Sequence, residues 1–176
     1  CAACEPIRLD VEAFEPTRTQ RRVLARGDRR IDLEVGPIAV TEQRVRLYNV
    51  HKHGRDLSAG ESLTTPSAYR SFLGETCCES FEMRYRVDGE LMGVAIVDRA
   101  EDALSAVYFY WNPKFSSLSP GVFSILKQVE LCRRLELRYL YLGLYIANCK
   151  PMAYKARFTP HQRLVGGSWL DFPKED

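Results

Sequence analysis

No apolar run in this chain approaches the roughly 18 residues that a membrane-crossing helix needs. The run from Gly93 to Val97 is the size of a strand. A secretory pattern is missing as well, so no membrane partner and a cytoplasmic location are expected. Histidine is scarce, with three residues. His51 and His53 lie in a polar stretch beside Lys52 and Arg55, with no carboxylate or cysteine at ligand spacing, and are expected at the surface. Net charge is small, at +2, and total charge therefore gives no argument for nucleic acid. Glycine is short where a pyrophosphate-gripping turn would need it: Lys114 to Gly121 carries one, at its end. No internal repeat or low-complexity segment is found.

What is there suits one folded unit. The chain has 176 residues, 45% hydrophobic and 27% charged, enough for one good-sized core. Cys1, Cys4, Cys77, Cys78, Cys132 and Cys149 imply a reducing compartment, since Cys132 falls in a helix and the adjacent Cys77 and Cys78 bridge with difficulty. Cys1 and Cys4 form a CxxC, half of a zinc or iron–sulfur site. Because the sequence opens on Cys1 without Met, further chain is expected upstream. Arg18, Arg21, Arg22, Arg26, Arg29 and Arg30 stand against the single acid Asp28. On a helix capped by Thr17 and ended by Gly27, Arg18, Arg22, Arg26 and Arg29 share one face, either a solvated surface or a phosphate-contacting one.

The elements follow in order. An extended run covers Ile7 to Val11, a strand Ile31 to Val35, and a short amphipathic helix behind Thr41 carries Val45, Leu47, Tyr48 and His51. Pro66 opens another short helix with Tyr69, Arg70, Phe72 and Leu73. Phe81 to Val87, an Asp88-Gly89 turn and Glu90 to Asp98 form a hairpin, and Leu104 to Trp111 adds a third strand. A loop leads to a helix over 121–137 with Val122, Ile125, Leu126, Val129, Cys132 and Leu135 on its buried face. A strand from Tyr139 to Leu144, a short helix from Met152 to Phe158 and a last strand from Arg163 to Trp169 complete the chain. A strand, crossover helix and parallel strand in this order place a ligand site at the strand ends. The fold class is α+β, a GNAT-like acyltransferase layout with a central, mostly antiparallel sheet flanked by helices. Residues 1–30 are expected as the end of a Cys-containing segment with the Arg-rich helix, and 31–176 as the transferase domain.

Several stretches resemble one family. They are the CxxC with Pro6 and Arg8, Phe14 with the Arg18 to Arg22 run, Tyr69 to Leu73, Gly93 to Asp98, and Leu104 to Tyr108. Leu118-Ser119 with Gly121 and Ser124, Tyr141 to Gly143, and Met152 to Phe158 complete the set. Together they are similar to the C-terminal part of the aminoacyl-tRNA–protein transferases of the N-end rule, leaning towards the bacterial leucyl branch over the arginyl one. Pro120, before Gly121, departs from the family's pattern.

The resemblance implies transfer of an amino acid from tRNA to proteins beginning with Asp or Glu, marking them for degradation. In some relatives an upstream segment with further cysteines binds zinc or an iron–sulfur cluster; here Cys1 and Cys4 would contribute to it. An aminoacyl ester is already activated, so the transfer requires no cofactor. It needs alignment, an oxyanion donor, a modest base and positive charge for phosphates and the acidic acceptor. Lys155, Tyr154 and Asp98 are the catalytic candidates, Arg70, Tyr69, Arg157 and Tyr108 the substrate-binding ones, and Arg18, Arg21 and Arg22 the tRNA contacts. An acyl-CoA N-acetyltransferase and a non-catalytic tRNA-binding module remain alternatives, the first weakened by the glycine-poor turn.

Overall fold

The computed structural model describes residues 3–57, 60 and 62–173. Thr17 accepts from the backbone of Gln20 while the Gln20 side chain accepts from the Thr17 amide. This reciprocal capping box starts the arginine-rich helix α1, Arg18–Gly27, which follows strand β1, Glu5–Asp10. Strand β2, Asp32–Gly36, and helix α2, Glu42–Gly54, come next. Helix α3, Pro66–Tyr69, runs straight into a π turn, Arg70–Gly74. Three antiparallel strands form the meander: β3 Glu79–Val87, β4 Glu90–Arg99 and β5 Ala103–Trp111.

A 3₁₀ turn, Pro113–Leu118, precedes helix α4, Pro120–Arg134, where a plain loop is expected from sequence. Glu136, at φ 56°, turns the chain out of the helix early, so α4 stops short of the expected residue 137. Strand β6, Tyr139–Tyr145, is followed by helix α5, Lys150–Ala153, and a 3₁₀ turn, Tyr154–Arg157. The expected single last strand is a hairpin, β7 His161–Val165 and β8 Ser168–Phe172, because Gly166 and Gly167 both take positive φ.

The strands form one eight-stranded sheet in the order β2-β3-β4-β5-β6-β1-β7-β8, antiparallel except for the β5–β6 pair. Strand β1 lies inside this sheet with Ile7 and Leu9 fully buried, so β1 and α1 are built into the same core as the rest. On one face α1 and α4 cover Ile7, Leu9, Met83, Tyr85, Val97, Leu104, Leu140 and Leu142. A Cβ at Gly27 would collide with the Phe123 ring, which shows how closely α1 lies on α4. On the other face α2, α3 and the π turn cover Val94, Ile96 and Tyr110 with Val45, Tyr48, Tyr69 and Leu73.

The parallel pair is brief. Its register runs from Ala103↔Tyr139 to Ser105↔Tyr141, although both strands continue. On β5 the register with β4 skips Val107, a bulge that sharpens the local twist. On β6 Gly143, at φ 80°, bends the strand away towards β1, where Leu144 faces Pro6. From these two features β5 and β6 part and leave a gap in the middle of the sheet.

Candidate active site

A cleft of about 730 Å³ fills this gap. Ala106 to Phe109 and Trp111 of β5 form one wall, Leu142 of β6 the other, and Met152, Tyr154 and Lys155 close the end. Because the opening interrupts the sheet, residues reach it from both faces: Ser119 with Pro120 to Val122, Ser124 and Ile125 of α4 on one side, His51 and Arg55 of α2 on the other. Among the described residues lining it, Arg55 and Lys155 are the charged side chains, and none is Asp or Glu.

Lys155 donates from Nζ to the Leu144 carbonyl at 2.9 Å and lies 3.6 Å from the Met152 sulfur. Gly143 makes room for it: a Cβ there would stand 3.5 Å from Nζ. Burial lowers the Lys155 pKa from its ordinary value, because an ammonium loses hydration in the cleft. Burial raises the Tyr154 pKa, partly offset by the positive charge of Arg55, so its phenol stays protonated. One protonated donor and one amine of reduced basicity thus share the closed end.

On the α1 side, Ser119 adopts φ 55° ahead of α4 and gives the helix no side-chain cap, leaving the Gly121 and Val122 amides open behind Pro120. Arg26 of α1 donates to Ser119 Oγ at 3.4 Å, and Gln20 donates to the Arg157 carbonyl at 3.2 Å. Helix α1 therefore spans the mouth from the α4 N-terminus to the Tyr154–Arg157 turn. Deeper in, Gln128 donates to Ser124 Oγ at 3.1 Å, and Ser124 bonds the buried Tyr85 hydroxyl at 3.0 Å.

On the α2 side His51 is 2% exposed, which corrects the surface position expected from sequence. Its Nδ1 lies 3.1 Å from the Trp111 amide and 3.0 Å from the Trp111 carbonyl, and burial pushes its pKa down to about 4. The neutral ring pins Trp111 at the end of β5. The Arg55 guanidinium stands 5.5 Å from the Trp111 ring and takes part in no ion pair among the described residues. Tyr108 lines the cleft and packs against Tyr48 and Phe72; burial raises its pKa to about 12.

The remaining candidates lie elsewhere. Asp98 pairs across β5 with Ser105, on the far side of the point where the strands part, and accepts from Ser80 Oγ at 2.5 Å. It cannot serve as a base in the cleft. Tyr69 has no exposed surface, bonds the Tyr110 hydroxyl at 2.6 Å to hold α3 to the sheet, and lies outside the cleft lining. Arg70 and Arg157 are exposed and lie outside the cleft lining. Arg18, Arg21 and Arg22 are exposed on α1 and lie outside the cleft lining. Cys4 is exposed, and Cys1 lies outside the described residues. No group of three or more His, Cys, Asp or Glu able to hold a metal occurs among the described residues, which do not by themselves build the half-site's missing ligands. Sequence reasoning missed Arg55 and Gln128, whose helices carry them to the cleft through tertiary packing.

Comparisons with known proteins agree with this architecture. A solved structure of L-PGS from Bacillus licheniformis matches at TM-score 0.57 and 10% identity, over 84% of this chain and 47% of that one. A tandem GNAT protein from the clavulanic acid biosynthesis pathway matches at TM-score 0.57 and 14% identity, over 99% and 55%. This chain thus spans about half the length of those solved proteins and shares the GNAT-like fold with them. The aspartate/glutamate leucyltransferase of Chromobacterium violaceum is 41% identical over 99% of this chain and 72% of its own length. That of Thiobacillus denitrificans is 38% identical over 96% and 70%. Residues 43–165 match the family model described as the arginine-tRNA-protein transferase C terminus. With that match and those relatives, the chain belongs to the aminoacyl-tRNA–protein transferase family that includes the aspartate/glutamate leucyltransferases.

Proposed function

We propose that the protein transfers leucine from leucyl-tRNA to the α-amine of proteins beginning with Asp or Glu, marking them for degradation. The observation that carries this reading is the charge of the cleft: Arg55 and Lys155 line it and no described acid does. An arginyl donor would bring its guanidinium into a site without a counter-ion, whereas the apolar Ala106, Val122, Ile125, Leu142 and Met152 suit a leucyl side chain. An acidic acceptor meets Arg55 on the α2 side, which takes part in no ion pair among the described residues. The tRNA end meets the open amides of α4, with Arg26 and the exposed arginines of α1 beside them. A tRNA donor places the reaction in the cytoplasm.

The chemistry is aminolysis of an ester. The acceptor nitrogen attacks the ester carbonyl, the backbone amide at the Val107 bulge supports the oxyanion, and Lys155 takes the proton that nitrogen releases. The carbon–oxygen bond to the ribose then breaks, and the Tyr154 phenol gives its proton to the departing oxygen. Lys155 returns a proton to Tyr154, and the amide product leaves with atoms and charge balanced. The CxxC of Cys1 and Cys4 is proposed as half of a zinc or iron–sulfur site; no step above uses it.

The test presents the protein with radiolabelled leucyl-tRNA and arginyl-tRNA in separate reactions, on peptides beginning with Asp, Glu or Ala. Label from leucyl-tRNA on the Asp and Glu peptides alone is expected. Transfer from arginyl-tRNA, or equal labelling of the Ala peptide, would overturn the reading.

A further inference from the structure

Gln128 is a buried amide whose hydrogen-bonding capacity is half used. It is 1% exposed, yet it borders the cleft. Its Nε2 donates to Ser124 Oγ at 3.1 Å, and that hydroxyl is fixed in turn by Tyr85, itself fully buried. Its Oε1 has no partner. An acceptor buried without a partner costs free energy comparable to a lost hydrogen bond, so a group that arrives with an N–H or O–H to donate is stabilised there.

We propose that Gln128 Oε1 receives the α-amino group of the aminoacyl donor. The inference rests on the reading of the protein as an aminoacyl-tRNA–protein transferase and goes beyond it by naming the residue that recognises the donor as an amino acid. Gln128 stands nine residues after Ser119 along α4, roughly 13 Å at 1.5 Å per residue. A terminal nucleotide anchored at the open N-terminus of the helix extends its ester about that far into the cleft. The leucyl side chain has no hydrogen to donate, so the α-amine is the N–H group that the acyl portion can offer to Oε1. The acceptor amine enters from the opposite face, beside Arg55, and must keep its lone pair free for attack. With Nε2 donating to Ser124 Oγ, Oε1 is the atom of the amide left for an arriving donor. Gln128 is therefore a specificity-determining residue that binds the donor and takes no part in proton transfer.

The experiment compares two donors, tRNA esterified with leucine and tRNA esterified with 4-methylpentanoate, the same acyl group without its amine. With the wild type, kcat/KM is expected to favour the leucyl donor by about tenfold or more, the range of one hydrogen bond to a polar or charged group. Gln128→Met, matched in volume but lacking the acceptor, is expected to lose that preference by slowing leucyl transfer and sparing the 4-methylpentanoyl donor. Gln128→Glu keeps an acceptor and is expected to keep the preference. Equal slowing of both donors by Gln128→Met, or slowing of neither, would overturn the proposal. A second measurement is independent of variant folding: the wild type binding non-reactive 3′-leucylamido-3′-deoxyadenosine and its amine-free analogue. Tenfold tighter binding of the former supports the assignment, and equal binding overturns it. Absence of any leucyl transfer by the wild type would instead overturn the functional reading, and this inference with it.

Discussion

The Lys155 ammonium nitrogen stands 2.9 Å from the Leu144 carbonyl, at the point where β6 has left β5. The side chain that the site needs thereby satisfies a carbonyl of β6 beyond the last residue paired with β5. Lys155→Met removes this donor and the proton acceptor together, and is expected to lower kcat by 100-fold or more, the upper range of acid–base contributions. The pH–rate profile gives a second check. Because burial lowers the Lys155 pKa, the wild-type rate should climb with pH through a limb lying below the range of free lysine. Lys155→Arg, which cannot deprotonate, should erase that limb; a profile unchanged by the variant would remove Lys155 from proton transfer.

His51 makes stability pH-dependent. Its folded pKa, about 4, lies below the ordinary 6.5, so between these values the unfolded chain binds the extra proton. Stability present above pH 6.5 is lost as pH falls towards 4, with about 2 kcal/mol gone by pH 5. Urea unfolding at pH 7 and pH 5 measures this. His51→Gln should reduce the difference between the two pH values, whereas an unchanged difference would assign it to other groups.

Tyr69→Phe separates a structural tyrosine from a substrate-binding one. The variant leaves the buried Tyr110 hydroxyl without its partner, and about 1–2 kcal/mol of stability should be lost. KM for the acceptor peptide should stay within twofold of the wild type when assayed well below the melting temperature. A large rise in KM with unchanged stability would restore Tyr69 to the substrate site.

Much of the fold was legible because its signals are local. The Asp88-Gly89 turn marks the β3–β4 hairpin, and Thr17 with Gln20 marks the start of α1. The same kind of signal stood at Gly166-Gly167, but the alternation from Arg163 to Trp169 reads as one strand if those glycines are passed over. Strand β1 was readable as a strand and unreadable in place, since its partners β6 and β7 are more than 120 residues away. The site divides in the same way. Lys155 and Tyr154 follow a core strand, where the chain order already points. The parting of β5 from β6 depends on a bulge defined against β4, and a register cannot be read from one strand. His51 was a partial miss: it shares the apolar face of α2 with Val45 and Tyr48, and that spacing was evidence of burial. Arg55 lies one turn farther on, and only the packing of α2 against β5 shows that it ends beside Trp111.

Helix α1 supplies the last prediction. Arg18, Arg21 and Arg22 are exposed, and Arg26 lies half-buried against Ser119 at the mouth of the cleft. If α1 is the rail along which the tRNA end enters, its arginines play two different roles. The exposed ones contact backbone phosphates and release counter-ions, so each lost contact should lower the slope of log K against log salt by about 0.7 for single-stranded RNA. The paired substitution of Arg21 and Arg22 by Ala is expected to weaken leucyl-tRNA binding at low salt, flatten the slope by roughly 1–2, and leave kcat at saturating tRNA within about twofold. Arg26→Ala acts nearer the reacting ester and should lower kcat as well as affinity, because the terminal nucleotide would no longer be held at the α4 N-terminus. Filter binding over a salt series, with single-turnover rates on the same variants, separates the two effects. A salt slope identical to the wild type in the Arg21/Arg22 variant would remove α1 from the tRNA path and leave its arginines as a solvated surface.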